Sequence, residues 1–299
     1  MFLQSRILCI YAESALHAGS GTSAGAVELP IQREVTTQYP IIQASSIKGA
    51  LRQAALDPHE VEAVFGPAET PDYAGAISPG DARILLFPVR ALNGVFVWTT
   101  SADVLGRFQR EAQLAEYNGL PAVVPSPQEN EALVSDAALL LDGNSIVLEE
   151  FSYGAKDDKD VRQWAEYLAK YALPSNGAFG YWRDRLVSSL VVLPNNDFRD
   201  FVLYSTEIVT RIRVSPETKT VAQGALFSQE LLPADSVLYA PVHATAVHTS
   251  KSSLYNEDAY TSAQGVIQWM QQNVPLRLQI GGDETVGRGL VHLRWLAEG

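Results

Sequence analysis

Apolar and polar positions divide the chain into short strands and a few helices. The run "MFLQSRILCIYAE" is apolar but broken by Arg6 and Glu13, which predicts a first strand over 3–14. "YPIIQAS" predicts a short strand that leads into the helix "SSIKGALRQAAL". Ser45 or Ser46 is its expected N-cap, and Ile47, Ala50, Leu51 and Ala54 form its apolar face. A turn-rich stretch follows, then a buried strand around "ARILLFPV". "SADVLGRFQREAQ" predicts a helix, and "LLLDGNSIVLEEFSY" a hairpin turning at Asp142, Gly143 and Asn144. In "DDKDVRQWAEYLAKYAL" Val161, Trp164 and Leu168 share one side of a helix. The stretch from Arg183 to Glu230 reads as strand-rich, with Arg211 and Arg213 projecting from one face of a strand and Lys219 just beyond the turn "SPETKT". A helix over "NEDAYTSAQGVIQWMQQ", a strand "LRLQI", a glycine-rich turn "GGDETVGRGL" and a last strand "VHLRWL" complete the pattern.

One stretch does not fit a scaffold. "ALHAGSGTSAGAVELPIQRE", Ala15 to Glu34, is long and polar where a plain connection takes about 2–6 residues. It carries His17, Glu28, Arg33 and Glu34 among its glycines.

With 299 residues, 46% of them hydrophobic, the chain can build one large domain or two small ones. It has no export signal and no apolar run long enough to span a bilayer, so the cytoplasm is the expected location. A lone Cys9 rules out an internal disulfide framework. The net charge of -12 argues against indiscriminate binding of DNA or RNA. It leaves room for a local basic groove on an acidic body, because recognition follows where the charges lie.

Candidate chemistry narrows the field. His17, His59, His243, His248 and His292 are scattered, with no paired ligand set for zinc and no GxSxG elbow for a serine nucleophile. "GGDETVGRG" lies between two strands, which is the wrong context for a dinucleotide fingerprint. Its backbone N–H groups and Arg288 can still meet a phosphate, or form a tight hairpin with a paired arginine. Lys48 and Arg52 lie four apart on one helix face, either a solvated face or a seat for an anion near the helix N-terminus. The ribbon from Arg211 to Lys219 is equally an RNA-contacting finger or an edge hairpin blunted by charge.

Four stretches in order, "LHAGSGTSAGAVELPIQRE", "YPIIQASSIKGALR", "GDARILLFPVRALNGVFVW" and "IGGDETVGRGL", resemble the RAMP superfamily. More narrowly they resemble the repeated backbone subunit of the type III-B CRISPR effector, the Cmr complex, over nearly the whole chain. The resemblance implies an α+β fold: one domain, 1–299, with a ferredoxin-like, RRM-related palm and a thumb-like β-hairpin. Insertions are expected at approximately 60–80, 110–185 and 211–235. Copies would stack along a CRISPR RNA beside the other Cmr subunits, and each thumb would push out one guide nucleotide. Target single-stranded RNA would be cut at regular six-nucleotide intervals in a reaction dependent on a divalent metal, magnesium or manganese. By the same resemblance Glu28 stands where the family holds its catalytic aspartate and would hold the metal, and His17 matches a loop histidine. Guide contacts would fall on Ser46, Lys48, Arg52, Gly282 and Arg288, and RNA contacts of the ribbon on Arg211, Arg213 and Lys219.

Glu28 is a departure, one methylene longer than aspartate, and it leaves three outcomes: slower cutting, normal cutting in an adjusted loop, or a subunit that only binds. The alternatives are therefore a non-catalytic guide-binding scaffold of the same complex and a nuclease that processes precursor guide RNA with His17 as base. A metabolic enzyme with an acidic surface is a further alternative, from another class.

Overall fold

The run "RILCIYA" forms the first strand, β1 (Gln4–Ala12), and from Ile7 onward all its residues are buried. The structure is a computed structural model that describes residues 2–23, 25–68, 72–214, 221–255 and 258–296. After β1 a long loop leads to β2 (Ile41–Ile42), α1 (Ala44–Ala54) and α2 (Val61–Phe65). Next come β3 (Ile77–Pro79), β4 (Ala82–Ala91), β5 (Val95–Ser101) and α3 (Ala102–Leu114). The middle of the chain holds β6 (Glu131–Val134), β7 (Ser145–Leu148), β8 (Phe151–Asp157), α4 (Lys159–Tyr171), α5 (Gly180–Ser189), β9 (Leu190–Leu193) and α6 (Asn195–Tyr204). Last are β10 (Glu207–Val214), β11 (Val221–Leu231), β12 (Val237–Ala244), α7 (Ala259–Asn273), β13 (Arg277–Gln279) and β14 (Leu290–Trp295).

The architecture is α+β. A 12-stranded sheet has ten strands in the order β13-β14-β1-β12-β4-β5-β9-β6-β8-β7, with β2 pairing with β4 and β3 with β12 off that path. Buried β1 is its natural centre, antiparallel to β12 from Gln4 opposite Ala244 to Tyr11 opposite Val237, and to β14 from Leu8 opposite Trp295 to Ala12 opposite Val291. At the far end Leu148 of β7 pairs with Ala91 of β4, so β4, β5, β9, β6, β8 and β7 close into a barrel-like ring. Closure removes free edges from strands too short to stand alone. Among the described strands β10 and β11 pair only with each other, as a separate hairpin, and its tip at 215–220 lies outside the described residues.

Helices with strong one-sided patterns form as expected. Ser101 caps α3 by accepting the Val104 N–H, and Asp158 caps α4 by accepting those of Asp160 and Val161. Val161, Trp164 and Leu168 of α4, and Ala263, Val266 and Met270 of α7, are fully buried.

Three expectations are corrected. The cap of α1 is neither Ser45 nor Ser46: the helix starts at Ala44, after Gln43, and its first N–H is taken by the carboxylate of Asp81 at 2.7 Å. A carboxylate from the turn between β3 and β4 does the work of a local hydroxyl. Asp142–Asn144 closes only one bridge, Leu141 to Ser145, and the hairpin proper, β7 to β8, turns at Glu149 and Glu150. The strand-rich reading of 183–204 holds only for Leu190–Leu193. Pro194 stops that strand, and Phe198, Phe201 and Val202 then bury the helical face of α6.

Candidate functional site

The long loop is tied down at both ends. Leu16 and Leu232 exchange backbone hydrogen bonds at 2.9 and 2.8 Å, and the Gln32 N–H reaches the Ala18 carbonyl at 2.8 Å. Further along, the Leu29 N–H donates to Ser228 and the Glu230 N–H to Leu29, at 3.0 and 2.9 Å. The loop is thus an extra layer on β11 and not a slack connector, although Gly21 to Ser23 and Gly25, Ala26 and Glu28 stay exposed.

Both expected catalytic residues are fastened to that strand. The Ser228 N–H donates to Glu28 Oε2 at 2.7 Å, and the Glu28 N–H donates back to Ser228 Oγ at 3.1 Å. Oε1 of Glu28 accepts no hydrogen bond among the described residues. Nδ1 of His17 lies 2.8 Å from the Glu230 carbonyl oxygen. A carbonyl only accepts, so Nδ1 carries a proton and Nε2 is the nitrogen left to exchange one. Only glycine fits beside it, since a Cβ on residue 19 would come within 2.6 Å of Nε2. Ser228 and Glu230 are two residues apart, so the anchors of the carboxylate and the imidazole are roughly 7 Å apart along β11.

The glycine-rich loop closes the other side. The Gly282 N–H donates to the His17 carbonyl at 3.0 Å, and the Gly289 N–H to Ala15 at 3.0 Å. Gly281 has φ +87, and a Cβ there would run into the His17 carbonyl. Gly281→Ala is expected to cost about 1–3 kcal/mol of stability in a denaturant titration. Gly282→Ala, whose Cβ would meet nothing nearer than the His17 ring at 3.6 Å, is expected to cost about 0.5 kcal/mol or less.

Arg211 is brought to the same loop, and its guanidinium pairs with the carboxylate of Asp283. Gln229 Oε1 accepts from Arg211 at 3.1 Å, Gln229 Nε2 donates to Asp283 at 2.6 Å, and Arg211 also lies over the Phe227 ring. Burial alone would raise the Asp283 carboxyl, but Arg211, Gln229 and nearby His17 outweigh it and hold it below its ordinary value. Such a carboxylate stabilises the fold above the ordinary carboxyl range and loses that contribution as the pH falls through its lowered value. Amide exchange in β10 and β11 is therefore expected to quicken at strongly acidic pH, and Asp283→Asn to give that quickening already at neutral pH. Unchanged protection in the variant would remove Asp283 as the clasp between hairpin and loop.

The remaining expected contacts are dispersed. Ser46 and Lys48 lie in the first turns of α1, half-buried, and burial, then the neighbouring charge of Arg52, lowers the Lys48 ammonium below its usual value. Arg52 donates to the Gly66 carbonyl at 2.5 Å and so ties α1 to α2. A cleft of about 190 Å³ separates α1, at Ala50, Gln53 and Ala54, from the strand and loop side, at Leu278, Gln279 and Glu284. Arg288 is half-buried and makes no ion pair among the described residues. Lys219 and the side chain of Arg213 lie outside the described residues.

A residue that the sequence did not single out holds the centre. Glu230 pairs with Arg33, accepts from Thr206 at 2.8 Å and takes the Ile31 N–H at 3.0 Å. The one signal for it was Arg33 in "LPIQRE", a cation that follows the apolar run Leu29, Pro30 and Ile31. No three His, Cys, Asp or Glu side chains gather into a metal cage among the described residues. Magnesium needs no such cage, since one or two carboxylates, waters and substrate phosphates suffice, and the exposed Glu28 with one uncommitted oxygen fits that role.

A model of the RAMP superfamily matches residues 9–292. The CRISPR system Cmr endoribonuclease Cmr4 of Pyrococcus furiosus is 33% identical over 297 residues, 97% of this chain and 95% of that one. The CRISPR system CMR subunit Cmr4 of Saccharolobus solfataricus is 29% identical over 310 residues, 96% and 95% of the two chains. The crystal structure of oligomeric Cmr4 from Pyrococcus furiosus superposes with a TM-score of 0.73 at 28% identity, covering 98% of each chain.

Proposed function

The chain belongs to the RAMP superfamily and, within it, to the Cmr4 subunits, and from that premise we propose that it is a guide-binding backbone subunit of a type III-B effector that cuts target RNA. The observation that carries this reading is the fastening of Glu28 and His17 to one strand of the hairpin, beside the glycine-rich loop. The order β14-β1-β12-β4, with α1 between β1 and β4 and α7 between β12 and β14, supports a ferredoxin-like palm. β10 and β11 are then the thumb, and the barrel-like ring arises from the expected insertions in the middle of the chain. Copies stack along the CRISPR RNA with the other Cmr subunits. Among the described residues no helix is long and apolar enough to cross a membrane, which suits the cytoplasm.

RNA carries its own nucleophile, the 2′-hydroxyl. Cleavage needs the 2′-oxygen, the phosphorus and the leaving 5′-oxygen in line, and a strand distorted beside a displaced nucleotide meets much of that need. Glu28 takes the 2′-proton as base or, through its free oxygen, holds a divalent ion, which when bound offsets charge on the phosphate. His17, through Nε2, hands a proton on or off. The products are a 2′,3′-cyclic phosphate and a 5′-hydroxyl. Lys48, Ser46, Gly282 and Arg288 face the guide. Arg52 and Arg211 act as positioning residues, because a carbonyl and a carboxylate already engage them. Arg213 and Lys219 contact RNA from the thumb. The test is assembly on a guide with a labelled complementary RNA and magnesium or manganese, read as a ladder at six-nucleotide spacing. An assembly that retains no guide RNA would overturn the reading.

A further inference from the structure

A cavity of about 560 Å³ opens between the β7–β8 turn and α6, with Thr206 of the Glu230 cluster in its wall. Its size suits a small organic ligand. Its lining combines two chemistries. Phe151 and Phe201 meet edge to face at 6.0 Å, and Tyr204, 77% exposed, stands at the rim. The same wall carries four acidic residues, Glu149, Glu150, Asp197 and Asp200. Two of the four are neutralised, Glu149 by Arg90 and Asp200 by Arg199, both at 2.8 Å. Glu150 and Asp197 have no cationic partner among the described residues.

Tyr153 adds a polar group to the cavity wall. Its residue is only 6% exposed and it lines the cavity, yet its hydroxyl makes no hydrogen bond among the described residues. The ring is buried while the hydroxyl is open to the cavity, so it is free to accept from or donate to what the cavity receives. The uncompensated charge also leaves its mark on nearby groups. Burial and then the charges of Asp197 and Asp200 push the Tyr153 hydroxyl up to about 12. Burial, then Asp200 and Glu129, raises the Asp197 carboxyl. A phosphate or a carboxylate would be repelled here, so this is not a face for RNA.

We propose that the cavity binds an organic cation, a guanidinium or alkylammonium on an aliphatic stem. Its charge faces Glu150 and Asp197, its stem packs between Phe151 and Tyr204, and Tyr153 accepts its hydrogen bond. Rings and carboxylates together suit such a cation better than a bare metal ion, since aromatic faces attract organic cations and cover their stems. Two sources share this chemistry: a free polyamine, and an arginine side chain of another protein chain.

The test uses the full chain without RNA, so its outcome is independent of the cleavage reading. The chain is titrated with spermidine, with N-acetylarginine amide, and with the citrulline amide as a neutral control of the same shape. Saturable shifts of the Tyr153 and Tyr204 ring signals are expected with a cation and not with citrulline. Affinity is expected to fall at least tenfold in Asp197→Asn/Glu150→Gln, a surface pair whose loss spares the fold. Binding of the arginine derivative alone assigns the site to a protein side chain, and binding of spermidine assigns it to a free amine. No saturable binding of either cation, or equal binding by the double variant, overturns the proposal.

Discussion

Glu28→Ala is expected to lower target cleavage in the assembled effector by roughly 10²–10⁴, the usual contribution of a positioned general base, while guide binding stays unchanged. Binding should survive because the side chain is exposed and its loss frees one N–H, that of Ser228, to water. The ladder from a labelled complementary RNA checks it, and an unchanged ladder would place the acidic group elsewhere. Glu28→Asp is the finer probe. A misplacement of about 1 Å can cost a hundredfold in rate, so an extra methylene in an ill-fitting loop would be a handicap that aspartate relieves. The structure argues for a fitted loop, because the longer chain spans to the Ser228 N–H at 2.7 Å and is steadied there. The aspartate variant is expected to cut no faster than the native chain. A large gain would mean that glutamate slows this subunit.

The two candidate residues behind that prediction, Glu28 and His17, could be picked out in the sequence, and their structural supports could not. Glu28 and His17 occur in a polar loop too long for a connector, and a resemblance of motifs gave them roles. Glu230 lay outside the quoted motifs, and Asp283 lay inside the glycine-rich one without being given a role. A glutamate in a strand-like run reads as a solvent-facing position, and only folding shows that Arg33, almost two hundred residues earlier, meets it. The same physics divides the fold. α3 and α4 carried their caps and apolar stripes locally, so the sequence alone located them. α5 buries little on one side, only Leu186 and Ser189, and gave no period to read. The barrel-like closure rests on contacts such as Ala91 with Leu148, which depend on chain topology and leave no periodic trace. The first cap of α1 was misplaced for a similar reason, since Asp81 reaches it from another element.

Glu230→Ala is expected to be the most destabilising single change near the site, at about 3–5 kcal/mol, because it leaves the Arg33 cation buried without its partner. The two side chains are only 11% and 7% exposed, so water cannot replace the lost carboxylate at Arg33. The Thr206 hydroxyl and the Ile31 N–H lose their acceptor in the same step. Arg33→Met should be costly on its own as well. The double change Arg33→Met/Glu230→Leu should recover the part of the loss due to the unpaired cation, while the Thr206 hydroxyl and the Ile31 N–H stay without their acceptor. A denaturant cycle of the four proteins measures this, and a cost below about 1 kcal/mol for Glu230→Ala would show that the pair is not the fastening. The consequence for cleavage follows from the backbone. His17 is held by the carbonyl of residue 230 and not by its side chain. The single variant should therefore lose activity in proportion to the loosening of β11, and the double variant should regain activity as it regains stability. If the double variant is stable and still inactive, the carboxylate of Glu230 itself takes part in the chemistry.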